Sequence, residues 1–286
     1  MNDLLFIGNI SFDKITNLNG QFKKVVGGSA FNSAYCARQV SEIKIGVYSV
    51  VGNDFPLRIL QKNQINFEGL QIIEEPSNTF LIDEKAETVL FEKDPLVLNL
   101  IQKIETKHLH VSCRKGINNC LNYLKNISHT SSSIDVYYTS LEEKFEDIIS
   151  CISSTEILFL NKMEYEMLSK MLGSQLNILF PQLLIIKTED EKGIEIMKNN
   201  HQKHFGAIRR EENVVSSTGA GDSFIGGFLG AYCSAQPISS CLAFGIASAT
   251  LSIQGFGVDH SVNSSSNVKK LHEELMTKNV IDELEF

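Results

Sequence analysis

Short apolar runs alternate with stretches of helical periodicity along most of the chain, and this alternation narrows the possible folds more than any other feature. The apolar runs are predicted as buried strands at residues 4–7, 45–51, 108–111, 134–138, 157–160 and 183–187. The helical stretches lie between them, at residues 30–40, 56–63, 117–126, 141–152 and 164–172. Strands that alternate with helices pair in parallel, and helices then cover both faces of the sheet. The sequence therefore predicts an α/β fold of three layers with a mostly parallel central sheet.

The later part of the chain changes character. Residues 219–234 and 238–253 are apolar and rich in small side chains, and we interpret them as consecutive helices. Helices with such small side chains are expected to pack closely against a sheet.

One region, residues 69–95, breaks the alternation. Three short strand-like runs within it predict an antiparallel meander, at residues 70–73, 79–83 and 87–91. Residues 12–25, with a turn at 17–20, predict a hairpin that joins this meander. Such a small sheet is a natural lid over a site, and an edge extension without any role at a site explains the pattern equally well. We thus predict one domain over residues 1–286, with lid strands from about 12–25 and 69–95.

The charge of the chain excludes one class of partner. The net charge is −8 and the basic residues are scattered, whereas proteins that bind nucleic acid usually carry a basic face. We therefore expect no nucleic-acid partner.

No apolar run reaches the roughly 18–20 residues that span a bilayer, and the first residues look like a strand and not like a signal peptide. We expect a cytoplasmic protein that does not enter the membrane.

The cysteines and histidines give no metal site. The six cysteines are widely spread and form no CxxC pair, which favours reduced, buried thiols. His108 and His110 share one face of a predicted strand, and His201 and His204 stand three residues apart. Neither pair has further ligands at metal-site spacing, so we interpret them as ordinary strand and surface positions.

The segment VVSSTGAGDSF, residues 214–224, is the most informative part of the sequence. Its glycines allow the backbone to approach a ligand closely, and the first N–H groups of the following helix lack partners within the helix. Such a helix start binds phosphate. Asp222 stands in the first turn of the predicted helix. A carboxylate in this place suits phosphoryl transfer, because it can take a proton from a hydroxyl while the amides stabilise phosphate charge.

Other interpretations compete with this one. Asp222 alone is also explained by the positive end of the helix, worth about 0.3–1 kcal/mol at a surface. A dinucleotide-binding fingerprint, as in a Rossmann oxidoreductase, lacks its third glycine because Phe224 stands there, and the segment comes late in the chain. A Walker A loop is excluded because no lysine follows the glycines.

A second glycine-rich helix start, VGGSAFNSA, spans residues 26–34. A turn and a helix N-cap explain its glycines and Ser29 without any ligand. Asn32 is less easily explained in this way, because its amide can donate and accept hydrogen bonds with a polyhydroxyl compound.

Together, in this order and about 190 residues apart, the two segments resemble the two signatures of the ribokinase-like (PfkB) family of carbohydrate and nucleoside kinases. The resemblance covers nearly the whole chain, because three shorter motifs of the family also occur in the correct order. They are Gly8-Asn9-Ile10-Ser11-Phe12-Asp13, Val51-Gly52-Asn53-Asp54 and Asn161-Lys162-Met163-Glu164. The resemblance implies a ribokinase-like three-layer sandwich with a small β-strand lid.

The resemblance also implies an activity and the roles of individual residues. It implies an ATP-dependent kinase that uses Mg²⁺ and phosphorylates a hydroxyl of a small sugar, polyol or nucleoside. Asp222 would be the general base, and the anion hole would be formed by the N–H groups of Gly219, Ala220 and Gly221. The acceptor would be held by Asp13, Gly27, Gly28 and Asn32. Glu164, with Asn161, would organise magnesium through water. The nucleotide would lie near Lys187, Thr188, Gly193, Thr218, Gly255 and Gly257.

The sequence departs from the family pattern in places. Ser216 stands where the family usually has an aspartate that often supports a monovalent-cation site, and Asn53 replaces another common aspartate. The lid has no evident pair of arginines for a phosphorylated sugar, although Lys93 or Arg114 could serve. A sugar phosphate is therefore the less expected acceptor.

The acceptor itself stays open between sugars, polyols and nucleosides. The serine after the double glycine resembles nucleoside kinases slightly, and a nucleoside base could stack on Phe12, Phe31 or Phe80. Ordinary core packing explains each of these rings better.

A second hypothesis is a catalytically silent nucleotide- or sugar-binding regulatory protein of the same fold. Relatives dimerise through their lids, so a homodimer through the strands at 70–91 is a further expectation, with a lid that covers only its own site as the alternative.

Overall fold

The computed structural model describes residues 1–100, 104–189, 192–199, 201–206 and 214–277. The strands are β1 Asn2–Ile7, β2 Ser11–Thr16, β3 Phe22–Gly27, β4 Ile45–Gly52, β5 Asn66–Ile73, β6 Thr79–Asp83, β7 Thr88–Phe91, β8 Thr106–Cys113, β9 Ser131–Val136, β10 Ile157–Asn161, β11 Leu184–Thr188, β12 Ile194–Lys198 and β13 His201–Phe205. The helices are α1 Ser29–Val40, α2 Arg58–Lys62, α3 Cys120–Asn126, α4 Tyr138–Leu141, α5 Phe145–Ile152, α6 Lys162–Leu172, α7 Leu176–Leu179, α8 Ala220–Tyr232, α9 Ile238–Ser252 and α10 Ser265–Thr277.

The central sheet has nine strands in the order β13-β12-β11-β10-β9-β8-β1-β4-β5. The seven strands from β11 to β5 are parallel to one another, and β12 and β13 extend the sheet in antiparallel fashion. The mostly parallel α/β fold predicted from the alternation is confirmed, since each strand predicted for the central sheet overlaps a strand of that sheet. The run 134–138 is displaced, because β9 spans Ser131–Val136 and Tyr138 begins α4.

Helices cover both faces of this sheet, and β1 shows how the sequence assigns side chains to each face. Leu4 and Phe6 lie in the core that contains residues of α1, α8 and α9, and Leu5 and Ile7 lie in the opposite core with residues of α3, α5 and α6. Successive strand residues point to opposite faces, so a continuous apolar run is what a doubly covered strand requires.

The two late segments rich in small residues are the helices α8 and α9, as predicted. A Cβ at Gly226 would overlap the backbone carbonyl oxygen of Ser33. The helices α1 and α8 therefore approach each other this closely only because position 226 is glycine.

The small sheet has the order β3-β2-β6-β7, and it corrects the predicted meander. The run 70–73 is wrong as a lid strand, because it is the end of β5 and pairs in parallel with β4, from Ser49 opposite Leu70 to Gly52 opposite Ile73. The predicted hairpin is β2 with β3, and β6 and β7 are antiparallel as predicted; the hairpin joins them through a parallel pair, β2 with β6.

The segment after β5 crosses from the central sheet to the small sheet. Asp54 stabilises this connection. Its carboxylate accepts hydrogen bonds from the backbone N–H of Ser77 at 2.7 Å and from Oγ of Ser77 at 2.6 Å. The crossing explains why a run that looks like part of the meander belongs to the other sheet.

One helix boundary differs from expectation. The predicted helix at 141–152 starts too early: Leu141 ends α4, and α5 begins only at Phe145, because the backbone of Lys144 is not helical. The ammonium of Lys144 donates to the carbonyls of Arg114 and Ile117. Among the described residues, no helix combines the length and the apolar character that a membrane span needs.

Candidate active site

The two glycine-rich helix starts meet at the carboxyl ends of the parallel strands. Gly28 precedes α1 with φ 90° and Gly219 precedes α8 with φ 85°, a conformation that favours glycine. The side-chain amide of Asn32 on α1 donates to Oδ2 of Asp222 on α8 at 3.2 Å. Ser33 Oγ donates to the backbone carbonyl of Asp222 at 2.9 Å. The structure thus brings together the two segments that the sequence singles out.

Arg114 occupies the other side of Asp222. It directly follows β8, and its NH2 group donates to Oδ1 of Asp222 at 3.1 Å and to Oδ2 of Asp135 at the end of β9. The guanidinium Nε of Arg114 is buried without a hydrogen-bond partner. Burial of the Asp135 carboxyl opposes its ionisation, but Arg114 and His110 outweigh burial and hold the pKa of Asp135 well below its usual range. Both oxygens of Asp222 are therefore held, one by an amide and one by a cation.

Two cavities meet at Asp222. The larger, about 570 Å³, lies between the central sheet and the small sheet and contains Asp13, Gly28 and Asn32 in its wall. The smaller, about 220 Å³, is lined by residues that include Asn161, Glu164, Thr188, Gly219 and Gly221. Both are lined by Arg114, Tyr137, Gly219 and Asp222. A group that passes from one cavity to the other must pass these residues.

Asp13 is the buried carboxylate of the larger cavity. It accepts a hydrogen bond from Ser11 Oγ at 2.7 Å, and only 4% of its surface is exposed. Burial raises the pKa of Asp13 to about 6, with a smaller contribution from the nearby charge of Asp222. A Cβ at Gly27 would overlap the carboxylate of Asp13, so glycine at 27 makes room for this side chain.

Glu164 and Asn161 form the start of α6 beside the smaller cavity. They make a reciprocal capping box, in which Asn161 Oδ1 accepts from the N–H of Glu164 at 2.9 Å and Glu164 Oε2 accepts from the N–H of Asn161 at 2.8 Å. Burial raises the pKa of Glu164 to about 7, and the neighbouring Asp135 adds to the shift. A divalent cation with oxygen ligands would favour the ionised form of such a carboxylate, so the donor set fits magnesium.

The loop before α8 is tied to the small sheet by Glu84. Oε1 of Glu84 accepts from Ser216 Oγ at 2.7 Å, Ser217 Oγ at 3.3 Å, Thr218 N–H at 2.9 Å and Thr218 Oγ1 at 2.8 Å. Asn17, in the β2–β3 turn, donates to the carbonyl of Val215 at 2.8 Å. Ser216, which stands where the family usually has an aspartate, thus contacts a carboxylate that directly follows β6 of the small sheet.

The residues predicted to form the anion hole differ in their surroundings. The N–H of Ala220 donates to the carbonyl of Ser217 at 3.2 Å, so a turn already uses this donor. Gly221 is exposed, and no heavy atom lies within 4 Å of the place where its Cβ would stand. The backbone at Gly221 is therefore open to a ligand in the smaller cavity.

Four residues that the resemblance assigns to the nucleotide are absent from the walls of both cavities, as far as the described residues show: Lys187, Gly193, Gly255 and Gly257. Lys187 forms ion pairs with Glu195 and, at 3.2 Å, with Glu189. A Cβ at Gly255 would meet the ring of His260 at 2.5 Å, which gives this glycine a packing role. Their contact with a nucleotide stays a prediction. Thr188 and Thr218 line the smaller and the larger cavity respectively.

The three aromatic residues considered for stacking on a nucleoside base lie in different surroundings. Phe31 is fully buried in the core, and Phe12 packs against Phe55 with the ammonium of Lys24 4.0 Å from its ring. Phe80 lines the larger cavity beside Phe91, with 4.2 Å between the ring centroids.

Two tyrosines, Tyr137 and Tyr138, line the same cavity from the opposite side of the cleft. Sequence inspection missed these tyrosines and Phe91, because only the fold brings their segments together.

A carboxylate at the start of a helix, between a cavity with hydroxyl-binding side chains and a cavity with a buried acidic group, is the arrangement of a small-molecule phosphotransferase. The chain belongs to the pfkB family of carbohydrate kinases, whose profile matches residues 1–265. It is therefore a kinase that uses an alcohol group as acceptor.

Two relatives by sequence and two solved structures are similar to this chain. The cytidine kinase of Thermococcus kodakarensis is 26% identical over 270 residues, which is 86% of this chain and 94% of the relative. The nucleoside kinase of Methanocaldococcus jannaschii is 26% identical over 248 residues, 82% of this chain and 81% of the relative. A crystal structure of a nucleoside kinase from that organism superposes with a TM-score of 0.78 at 23% identity, covering 95% of this chain and 98% of the other. A ribokinase from Cryptococcus neoformans in complex with ADP gives the same TM-score at 17% identity, covering 94% and 98%.

Proposed function

We propose that this kinase transfers the γ-phosphoryl group of ATP to a hydroxyl of a nucleoside, with Asp222 as the general base. The observation that carries the proposal is the position of Asp222, at the junction of the two cavities and in the first turn of α8. The acceptor would occupy the larger cavity and the triphosphate the smaller one.

The residues around Asp222 have distinct tasks in this proposal. Asp222 takes the proton of the acceptor hydroxyl, whose oxygen forms a bond to the γ-phosphorus while the bond to the β-phosphate oxygen breaks and ADP leaves. Asn32 holds the second oxygen of Asp222, so the base keeps its orientation. Arg114, which lines both cavities, supplies positive charge where the phosphoryl group passes. Glu164 and Asn161 would hold Mg²⁺, which neutralises phosphate charge when bound.

Two observations favour a nucleoside over a free sugar as the acceptor. The larger cavity has aromatic side chains on both sides of the cleft, Phe80 and Phe91 from the small sheet and Tyr137 and Tyr138 after β9. A base gains about 1–3 kcal/mol by stacking on such rings, whereas a free sugar offers no aromatic face. The two relatives that match over most of the chain are named for cytidine and nucleoside phosphorylation.

The ribose has its own partners in this proposal. Asp13 and Asn32 bind its hydroxyls from the wall of the larger cavity, since both are buried polar side chains that line it. The hydroxyl that is phosphorylated is the one that reaches Asp222.

An ADP-release assay with a panel of nucleosides, sugars, sugar phosphates and polyols tests the proposal, with Asp222→Asn as the matched control. We expect cytidine or adenosine to stimulate ADP release, and the variant to lose about 10²–10⁴-fold in kcat. The same nucleosides should raise the melting temperature where ribose and fructose do not. Turnover of sugars alone would refute the nucleoside assignment, and full activity of the Asp222→Asn variant would refute the role of the base.

A further inference from the structure

A row of buried polar side chains runs between the central sheet and α8 and ends at the active site. Alternate residues of two neighbouring strands form it: His108 and His110 of β8, and Ser131, Ser133 and Asp135 of β9. In the parallel register His108 lies opposite Ser131 and His110 opposite Ser133. The period of two along a strand therefore places all five side chains on one face. The two histidines, Ser133 and Asp135 are each at most 3% exposed.

Hydrogen bonds join every neighbour in this polar row. His108 Nδ1 lies 2.8 Å from Ser131 Oγ, and His108 Nε2 lies 2.8 Å from Ser133 Oγ. His110 Nδ1 lies 2.9 Å from the same Ser133 hydroxyl, and His110 Nε2 lies 3.2 Å from Oδ1 of Asp135. The row is therefore continuous from Ser131 to Asp135.

The chemistry of the partners fixes the direction of each bond. The ionised carboxylate of Asp135 can only accept, so Nε2 of His110 carries the hydrogen. In the neutral imidazole, Nδ1 of His110 then accepts from the hydroxyl of Ser133, whose oxygen in turn accepts from Nε2 of His108. Burial lowers the pKa of His108 to about 3, so this ring is neutral and its Nδ1 accepts from Ser131. With a neutral His110 ring, every hydrogen in the row points towards Asp135.

Beyond Asp135 the row reaches the reacting centre. Oδ2 of Asp135 accepts from the same NH2 group of Arg114 that donates to Asp222 at 3.1 Å. A single guanidinium nitrogen therefore separates the end of the polar row from the carboxylate of the proposed base.

The helix α8 packs against the face of the central sheet that carries the polar row. The ring of His108 contacts Tyr232 of α8, with 5.7 Å between the centroids. The ring of His110 contacts Phe159 at 6.0 Å, which itself contacts Phe228 of α8. The polar row therefore packs against the same helix that carries Asp222.

A polar row in this place has a cost that apolar side chains would avoid. Desolvated polar groups contribute little net stability even when each is hydrogen-bonded, and a buried ion pair is often no more stable than a well-packed apolar replacement. Networks that are fully satisfied do, however, hold one geometry. The benefit of the row lies in the position that it gives to Asp135.

We propose that His110, Ser133 and His108 are positioning residues for catalysis: they fix Asp135, which holds Arg114 at the junction of the two cavities. This inference rests on the proposed function, because it assigns the row to the transfer step at Asp222. Arg114 is shared by two carboxylates in the free enzyme. When a triphosphate arrives, Arg114 can turn to the phosphate those of its donors that the two carboxylates do not use. Asp135 then keeps the guanidinium in place while Asp222 is released to accept the proton.

Steady-state kinetics of four variants tests the proposal. Asp135→Asn is expected to lower kcat about 10–100-fold, as loss of an orienting partner typically does, with the KM of the acceptor within about threefold. His110→Leu should lower kcat by about tenfold, whereas His110→Gln should keep most of the activity, because its amide can still donate to Asp135. The control is His272→Leu, which removes a half-buried histidine that is hydrogen-bonded to Ser240 at 2.9 Å, away from the row. It should reduce the melting temperature but leave kcat unchanged.

The outcomes separate the inference from the proposed function. Suppose that wild type is active and Asp222→Asn is not, but Asp135→Asn and His110→Leu turn over at the wild-type rate. The positioning role is then refuted and the kinase assignment stands. If His272→Leu loses as much kcat as His110→Leu, the row has only a structural role. An inactive wild type refutes both proposals.

A spectroscopic measurement covers the case in which His110→Leu does not fold. In ¹⁵N-histidine-labelled wild type at neutral pH, Nε2 of His110 should carry a hydrogen, and the ring of His108 should report the neutral form. A His110 ring without a hydrogen on Nε2 would overturn the proposal, because Asp135 would then lose its donor. In Asp135→Asn, the signal of His110 should shift while that of His272 stays in place.

Discussion

Two cations in this protein are each held between two carboxylates, and they differ in whether they face a site. Arg114 lies between Asp135 and Asp222, and Lys187 lies between Glu189 and Glu195. The guanidinium of Arg114 lines both cavities and keeps a buried Nε without a partner. The ammonium of Lys187 has a further neighbour in the ring of Tyr165, at 4.9 Å, which leaves it well satisfied.

The difference follows from where each cation stands in the sheet. Arg114 follows β8, at the carboxyl ends of the parallel strands, where loops diverge and leave a crevice. Lys187 pairs with Glu195 across β11 and β12, where the sheet has turned antiparallel. There the partner lies directly opposite, and within the described residues Lys187 lines neither of the two cavities. A charge pair is thus a poor guide to a site unless the fold leaves room beside it.

Replacing Arg114 is the most severe test of this contrast. We expect Arg114→Gln to lower kcat about 10²–10³-fold, because the transferring phosphoryl loses a charged donor. The free energy of unfolding should also fall, by about 3–5 kcal/mol, because the buried carboxylate of Asp135 loses its cation. Kinetics with saturating ATP and nucleoside, together with a melting curve, measures both effects. Wild-type kcat in the Arg114→Gln variant would remove the arginine from the mechanism.

The matched change at the other cation is Lys187→Met. It leaves Glu189 and Glu195 without their shared cation, so we expect the free energy of unfolding to fall by about 1–2 kcal/mol. The kcat should stay within about threefold of wild type. Urea denaturation and initial-rate kinetics check these values. A rise of roughly tenfold or more in the KM of ATP would instead support the nucleotide contact that the family resemblance implies for Lys187.

Glu84→Ala tests whether the hydrogen bonds between the small sheet and the loop before α8 serve the same site as Arg114. Loss of the hydrogen bonds to Glu84 should loosen the loop before α8, and we expect the KM of the acceptor to rise about 3–10-fold with a smaller change in kcat. The control is Glu92→Ala next to the same small sheet, whose ion pair with Lys14 is exposed to solvent. Equal kinetic effects of the two changes would argue against a specific role for Glu84.

The smallest expected effect is a dependence of stability on pH through Glu164. Its pKa is raised to about 7 in the folded protein, above the usual value near 4.3 of an unfolded glutamate. Between these values the folded state holds a proton that the unfolded state has lost, so this group makes stability fall as pH rises from about 4.5 to 7. Glu164→Gln should therefore gain stability relative to wild type at about pH 8, on the order of 1 kcal/mol, but not at about pH 4.5.

Denaturant melts of the two proteins at several pH values measure this difference. If the difference is the same at the acidic and the alkaline end of the series, the carboxyl of Glu164 is not buried as the structure has it. Magnesium at alkaline pH should stabilise wild type more than the Glu164→Gln variant.

Much of the site was predictable, and the missing part has a physical reason. Asp222 and Asn32 belong to glycine-rich helix starts, and a helix start exposes its N–H groups whatever the tertiary context. Arg114 was named only as a possible ligand for a sugar phosphate, because nothing in its local sequence shows that Asp135 and Asp222 lie on either side of it. The histidines of β8 were interpreted as ordinary strand positions for the same reason. Their meaning depends on the register of β8 against β9.

The sequence by itself determined the parallel α/β sheet, the two helix starts that carry Asn32 and Asp222, and the membership in the pfkB family. Those features depend on local periodicity and on glycine, which act through neighbouring residues. Only the tertiary structure decided that 70–73 belongs to the central sheet, that Glu84 reaches the loop at Ser216, and that Arg114 joins the two cavities. Each of these depends on contacts between distant segments, and their geometry is set by strand register and packing.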